Sequence, residues 1–339
     1  MKTTRQIYSQ FLLSTQTNYT CTHLSDHFDG LDENSIYRYL ASEKLTPRLV
    51  WEKAQLTVEY SPNGYLIFDD TVIDKNFSSK IDGVRKQYSG NAHGLIKGIG
   101  VVTCLYYNPE KDKYWLIDFR LFDPERDRKT KLDHVQDMLQ VLAGSREELF
   151  NQVKTILMDT WYATTEMMMI IDEIYHKIYY CPIKTNRQVD DTGGKEKYKS
   201  AAELSWSQEE LEKGKLIKIK KFPGNYKHKL FRVVISTDKT ELVVTNDLTQ
   251  NSTDAVQKEN AVRWKIEQLH REVKGTTGIE KCQCRKNRSQ RNHICCCLLV
   301  WHCLTKKARE LETTIYQVKQ RMLGNYMIEQ MKNPSVVFS

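Results

Sequence analysis

At 339 residues with 40% hydrophobic content, the chain has room for one large domain or two ordinary ones built on a real core. No apolar run reaches membrane-spanning length, and the opening Met1-Lys-Thr-Thr-Arg-Gln lacks the apolar stretch of a signal peptide. A globular protein of the cytoplasm with no membrane partner is therefore expected. The formal charge of +8 is uneven: from Lys258 to Lys332 basic residues outnumber acidic ones, which suits a polyanion, with nucleic acid the first choice.

In chain order, residues 1–57 read as a separate helical region. Thr22 to Phe28 and Asn34 to Leu40 form two short helices around the turn Asp29-Gly-Leu31. That is helix-turn-helix spacing, with Ser35, Tyr37 and Arg38 able to face a DNA groove; a helical lid packed on the rest of the chain is the equal alternative. After Pro62-Asn-Gly64, the run Tyr65-Leu-Ile-Phe-Asp69-Asp70-Thr71 reads as a buried strand ending in acid. Alternation puts Asp69 on the face of Thr71, which makes it the first choice as a ligand, with Asp70 the second or an outer partner.

Gly98 to Tyr107 and Tyr114 to Phe122 follow as a hairpin. A helix is expected from His134 to Ala143, ending at Gly144, and Ser145-Arg-Glu-Glu148 offers a capping box for the next. The run Thr155-Ile-Leu-Met-Asp159 is a second buried strand that closes on a carboxylate. Thr165 to Tyr175 reads as a helix with methionine filler, and Tyr179 to Lys184 as a fifth strand.

From 188 to 256 the pattern changes to short alternating strands, Leu216 to Lys221, Leu230 to Ser236 and Glu241 to Thr245, read as a β-rich insertion. Lys218 and Lys220 alternate with Ile217 and Ile219, giving one basic and one apolar face, and Trp206 is either a core residue or a stacking platform. Arg263 to Lys274 is a basic helix. At about 100° per residue, Arg263, Glu267, His270 and Lys274 share one stripe, and Val262, Ile266, Leu269 and Val273 a second.

Gly275-Thr-Thr-Gly278 closes that helix, and Arg285, Lys286, Arg288 and Arg291 precede a buried cysteine-rich helix, Ile294 to Leu304. Cys282-x-Cys284 with His293 and Cys295 lacks the spacing of a zinc ribbon, and cysteine here reads as a small hydrophobe. The tail, 310–339, has helical periodicity through Ile315, Val318, Met322, Met327 and Met331, either a dimer or docking segment or a helix packed on its own domain.

A carboxylate closing a buried strand is costly unless paired or metal-bound. Two such strand ends and one helical glutamate would make an oxygen cage for two Mg²⁺ ions roughly 4 Å apart, the arrangement used on phosphodiesters. The order Asp69, Asp159, Glu267 resembles the DDE transposases. Arg263, Glu267 and Lys274 match the Tyr-x2-Arg-x3-Glu-x6-Lys signature of the insertion sequence 4 class, with Asn260 standing where that pattern has Tyr. Further matches are the Asp-Asp-Thr strand end, Tyr88-Ser-Gly90, Asp159-Thr-Trp-Tyr162 and Lys184-Thr-Asn-Arg187, so the resemblance runs over roughly residues 60 to 305.

It implies a mixed α/β, ribonuclease-H-like catalytic domain over 58–309, interrupted by an insertion that touches the transposon end. It also implies Mg²⁺ as cofactor, with Mn²⁺ able to substitute, held by Asp69, Asp159 and Glu267 with Asp70. Arg263, Lys274, His270 and Arg271 would meet DNA, His270 alternatively serving helix packing. The implied partners are terminal inverted repeats and target DNA, with a homodimer assembled on DNA at the bacterial nucleoid. A DNA-binding protein that keeps the core as a scaffold, and a stand-alone nuclease of the same fold, are the rival expectations.

Overall fold

A computed structural model describes residues 2–78, 80–90, 92–237 and 239–335. The chain opens with four short helices. α1 (Arg5–Ser14) and α2 (Cys21–Asp26) are capped by Thr4 and Thr20, α3 (Glu33–Ser42) by Asp32, and α4 (Pro47–Ala54) begins on proline, whose missing N–H is no loss at a helix start. β1 (Gly64–Asp74), β2 (Arg85–Ser89), β3 (Gly94–Asn108) and β4 (Lys113–Phe122) follow. The single turn α5 (Pro124–Asp127) leads into α6 (Lys131–Ser145).

The capping box belongs to α6, where Thr130 and Asp133 bond reciprocally, so that helix starts earlier than expected and carries Gly144 inside it. Ser145 caps nothing, and α7 (Glu147–Gln152) has no side-chain cap. β5 (Val153–Met158) and α8 (Thr165–Met169) come next; the expected long helix widens after Met169 into a π turn, Ile170–Ile174. β6 (Ile178–Ile183), β7 (Gln188–Asp190), β8 (Lys199–Ser200), α9 (Gln208–Lys213), β9 (Lys215–Ile219), β10 (His228–Ser236) and β11 (Lys239–Thr245) precede the final helices α10 (Thr253–Val262), α11 (Trp264–Thr277), α12 (Asn287–Glu310) and α13 (Ile315–Lys332).

β3 lies antiparallel between β1 and β4, while β5 and β6 run parallel to β1, giving the order β4-β3-β1-β5-β6. This is the expected ribonuclease-H-like mixed sheet, with helices on both faces. Alternation along β1 sends Tyr65 and Ile67 toward α11, α12 and the N-terminal helices, and Leu66 and Phe68 toward the opposite layer with α6 and α8. The strands after β6 extend the same sheet: β11 pairs antiparallel with β6, and β10, β9, β7 and β8 continue outward.

α12 organises one face. Ile294 to His302 are all buried, with Cys295, Cys296 and Cys297 fully so, whereas Cys303 is exposed against expectation because it falls on the outer side of the last turns. The N-terminal helices sit on α12: Asn292 donates to the carbonyls of Leu40 (2.8 Å) and Glu43 (2.7 Å), and the Tyr8 hydroxyl meets His293 Nδ1 at 2.9 Å. Ser35 is turned inward and accepts the Thr3 N–H, so it cannot face a groove; Tyr37 and Arg38 remain exposed. α11 stops at Gly278, whose φ of +70° and contact with the Tyr19 ring leave no room for a Cβ. In α13, Ile315 and Val318 are buried, while Met322, Met327 and Met331 are exposed. Among the described residues no helix is long and apolar enough to cross a membrane.

Candidate active site

The parallel register of β1 and β5 pairs Phe68 with Met158, which sets Asp69 beside Asp159. Asp159 directly follows the last residue of β5, whereas β1 runs on past Asp69 to Asp74, so the strand end expected at Asp69-Asp70-Thr71 lies further along. Neighbouring strands are about 4.8 Å apart, which brings two carboxylates together with no loop in between. Burial and the charges of Asp70 and Asp159 push the Asp69 carboxyl well above its usual range.

The helical acid arrives from the other side. Arg263 is the hinge between α10 and α11, only 6% exposed, and its Nη1 lies 3.3 Å from Asp159 Oδ1 and 3.8 Å from Glu267 Oε1. Glu267 is half-buried, and its pKa is raised first by that burial, with Arg263 opposing. Two carboxylates, from the end of β5 and from α11, thus face one guanidinium, with Asp69 of β1 beside the first of them. The fit to a hard divalent cation rests on the donors: oxygen only, half-buried, with repulsion between Asp69 and Asp159. They do not form the closed cage expected from the sequence. Among the described residues no three such side chains stand close enough to hold an ion, because Arg263 lies between Asp159 and Glu267.

Asp70 points to the opposite face. It pairs with Lys131 Nζ at 2.5 Å and accepts the Tyr162 hydroxyl at 2.7 Å. Both acceptor oxygens are therefore used, which leaves Asp69 the freer of the two. His270 is a correction to the DNA-contact reading. It is buried, bonds Thr103 Oγ1 at 2.8 Å, and has its pKa lowered to about 3 by burial and by Lys274, so it packs α11 on β3 as a neutral ring. Lys274 donates to the Val72 carbonyl (2.7 Å) and lies 3.3 Å from Glu280, while Arg271 is exposed. Trp206 is partly buried against the apolar layer beneath Lys215, which makes it a core residue.

Four side chains went unread in the sequence. Glu241 on β11 lies 3.7 Å from Arg263 and accepts from Asn260 at 3.0 Å, so the strands after β6 hold Arg263 from behind. Lys131 carries no motif, and its part emerges only with Asp70. Tyr162 sat within a quoted motif, but nothing in it named the partner. Glu272, buried, accepts from Tyr114 (2.8 Å), Trp301 (2.9 Å) and Gln268 (3.0 Å) and pins α11 to β4 and α12. Beside Asp159, a cleft of about 320 Å³ is lined by Trp161, Lys184, Arg187, Lys220 and Lys221 among others, a basic trough with an aromatic wall. A larger cleft at the far end of β1, around Glu259, shares no residue with the acids.

Residues 116–303, more than half of the chain, match the family described as transposase DDE domain. The chain belongs to that family. The matched span of the transposase contains Asp159, Glu267, Arg263 and Lys274, and begins after Asp69 and Asp70. No curated protein matches the chain. A transposase works on DNA, and DDE transposase domains generally use divalent metals.

Proposed function

We propose that this transposase, of the insertion sequence 4 class, cuts the ends of its own mobile element and joins the freed 3′ hydroxyl to target DNA. What supports the reading is that Asp69 and Asp159 stand side by side on β1 and after β5, while Arg263 links Asp159 to Glu267 of α11. These three acids would hold the Mg²⁺ ions, Mn²⁺ substituting. Divalent cations bound there supply Lewis-acid polarisation of the phosphoryl oxygen and a strong nucleophile near neutral pH.

The chain's own residues do the rest. Arg263 leaves Asp159 and Glu267 for a phosphate oxygen and offsets charge there, while Glu241, its third carboxylate partner, keeps hold of the guanidinium. Arg271, exposed one turn beyond Glu267, meets the backbone, and Lys274 is held to β1 where it steadies α11. Lys131 and Tyr162 keep Asp70 occupied, so the edge presents Asp69. Cutting two ends together calls for two copies on the DNA.

The test uses duplexes covering the DNA on either side of the reading frame. With Mg²⁺ the wild-type chain nicks them at inverted repeats and joins the ends to a second DNA. Glu267→Gln binds the same duplexes with unchanged affinity and cuts none; undiminished cutting by that variant would end the assignment. Cut ends that are never joined would make the protein a nuclease.

A further inference from the structure

β2 and the first residues of β3 form a two-stranded ribbon that runs past the end of β1, where Asp74 pairs with Gly98. Its register sets Lys86 opposite Lys97 and Tyr88 opposite Leu95. All four are exposed, Tyr88 at 63% and Leu95 at 72%. Like charges directly opposite each other weaken a strand pair, and large apolar side chains are normally withheld from water. Of the ribbon's cations, Arg85 pairs with Glu125 at 3.0 Å, whereas Lys86 and Lys97 make no ion pair with any described residue. At its foot, Arg285 accepts the Asp82 N–H through its carbonyl, and the side chains of Arg285 and Lys286 are exposed.

The ribbon's place relative to the acids follows from register. Asp69 pairs with Thr103, so the two share a face, and the period of two along β3 carries that face through Val101, Ile99, Lys97 and Leu95. At about 3.4 Å per residue, Lys97 lies about 20 Å and Leu95 about 27 Å beyond Asp69. α11 runs along the same line, from Glu267 through Arg271 to Lys274 beside Val72.

We infer that the β2–β3 ribbon is a second duplex-binding arm: Lys86 and Lys97 contact backbone phosphates about six to eight base pairs from the bond that is cut, and Tyr88 and Leu95 pack on the sugar edge between them. The occupant is double-stranded DNA, because the outward face combines unneutralised lysines with a flat apolar pair on the face of the catalytic acids. The inference rests on the transposase reading above.

Wild-type chain and a Lys86→Gln/Lys97→Gln variant are titrated onto the same flanking duplexes over a range of salt, with hydroxyl-radical footprinting and Mg²⁺-dependent nicking in parallel. The variant should lower the slope of log affinity against log salt by about 2, since each phosphate contact contributes about 0.9. It should also lose protection about six to eight base pairs from the nick. A Tyr88→Ala/Leu95→Ala variant should weaken binding several-fold with the slope unchanged. All four positions are exposed, and circular dichroism confirms that the variants fold. If wild type binds and nicks while slope and footprint stay the same in the lysine variant, the arm is refuted and the function stands. If wild type neither binds nor nicks, the function reading fails first and the arm falls with it.

Discussion

Asp69 and Asp70 are neighbours in sequence with opposite energetic roles. The Asp69 carboxylate is crowded by burial and by other acids, so its ionised form weighs against the folded state at neutral pH; Asp69→Asn should abolish strand cutting and raise stability by about 1 kcal/mol. Asp70 is the reverse. Removing its charge leaves the mostly buried Lys131 ammonium unpaired, so Asp70→Asn should cost about 3 kcal/mol in urea unfolding. Equal stability losses in the two variants would contradict the division of labour. The preference for Asp69 comes from strand alternation, which puts it on the face of Thr71, together with the Asp-x-hydroxyl pattern that ribonuclease-H-like enzymes share. The reason Asp70 is spoken for was out of reach, since Lys131 and Tyr162 arrive from α6 and from the turn after Asp159. His270 misled for a related reason: a helical stripe assigns a side chain to a direction, and only the position of β3 decides whether that direction is water or core.

At the scale of elements, the strand runs and the α11 stripe were legible because each carries its own period. What stayed hidden was how the elements meet. The stretch after β6 read as an insertion set apart, yet β11 adds to the edge of β6 and thereby delivers Glu241 to Arg263; edge pairing uses backbone groups, which leave little mark on side-chain choice. α11 is fixed through Glu272, one carboxylate serving a tyrosine of β4 and a tryptophan of α12. Glu272→Ala strands a buried indole N–H and a phenol, so it should lower stability by about 3 kcal/mol; Glu272→Gln, which keeps one acceptor, should lose about half as much. Urea midpoints measure both. Because α11 carries Glu267, the alanine variant should also lose cutting before it loses DNA binding, and equal midpoints for alanine and wild type would refute the bracket.

Among the described residues five histidines are buried: His134, on α6 beside Asp127, and four that sit at the joints between layers. His293 joins α12 to α1, His302 reaches the Leu116 carbonyl of β4, His270 packs α11 on β3, and His228 lies among Phe222, Tyr226 and Tyr179 beside the outer strands. Burial is the first cause in each case, lowering the pKa to about 3 for His228, His270 and His293 and to about 4 for His302. The sign is fixed by which state takes up protons. Below about pH 6.5 the unfolded chain protonates these rings while the folded chain keeps them neutral, so their contribution is complete above that pH and is lost as pH falls toward 4. At pH 5 the loss is about 2 kcal/mol for each histidine, or about 8 kcal/mol together, comparable with the whole stability of an ordinary domain. Asp69 and Glu267 act in the opposite sense, since their raised pKa values let the folded state bind protons first, and they offset part of this. The expected outcome is cooperative acid unfolding with a midpoint of roughly pH 5, followed by tryptophan fluorescence. In His302→Gln the slope of unfolding free energy against pH should fall by about one proton between pH 6 and pH 5. A stability that stays level from pH 7 to pH 5 would mean that these rings titrate normally and that the joints are open to water.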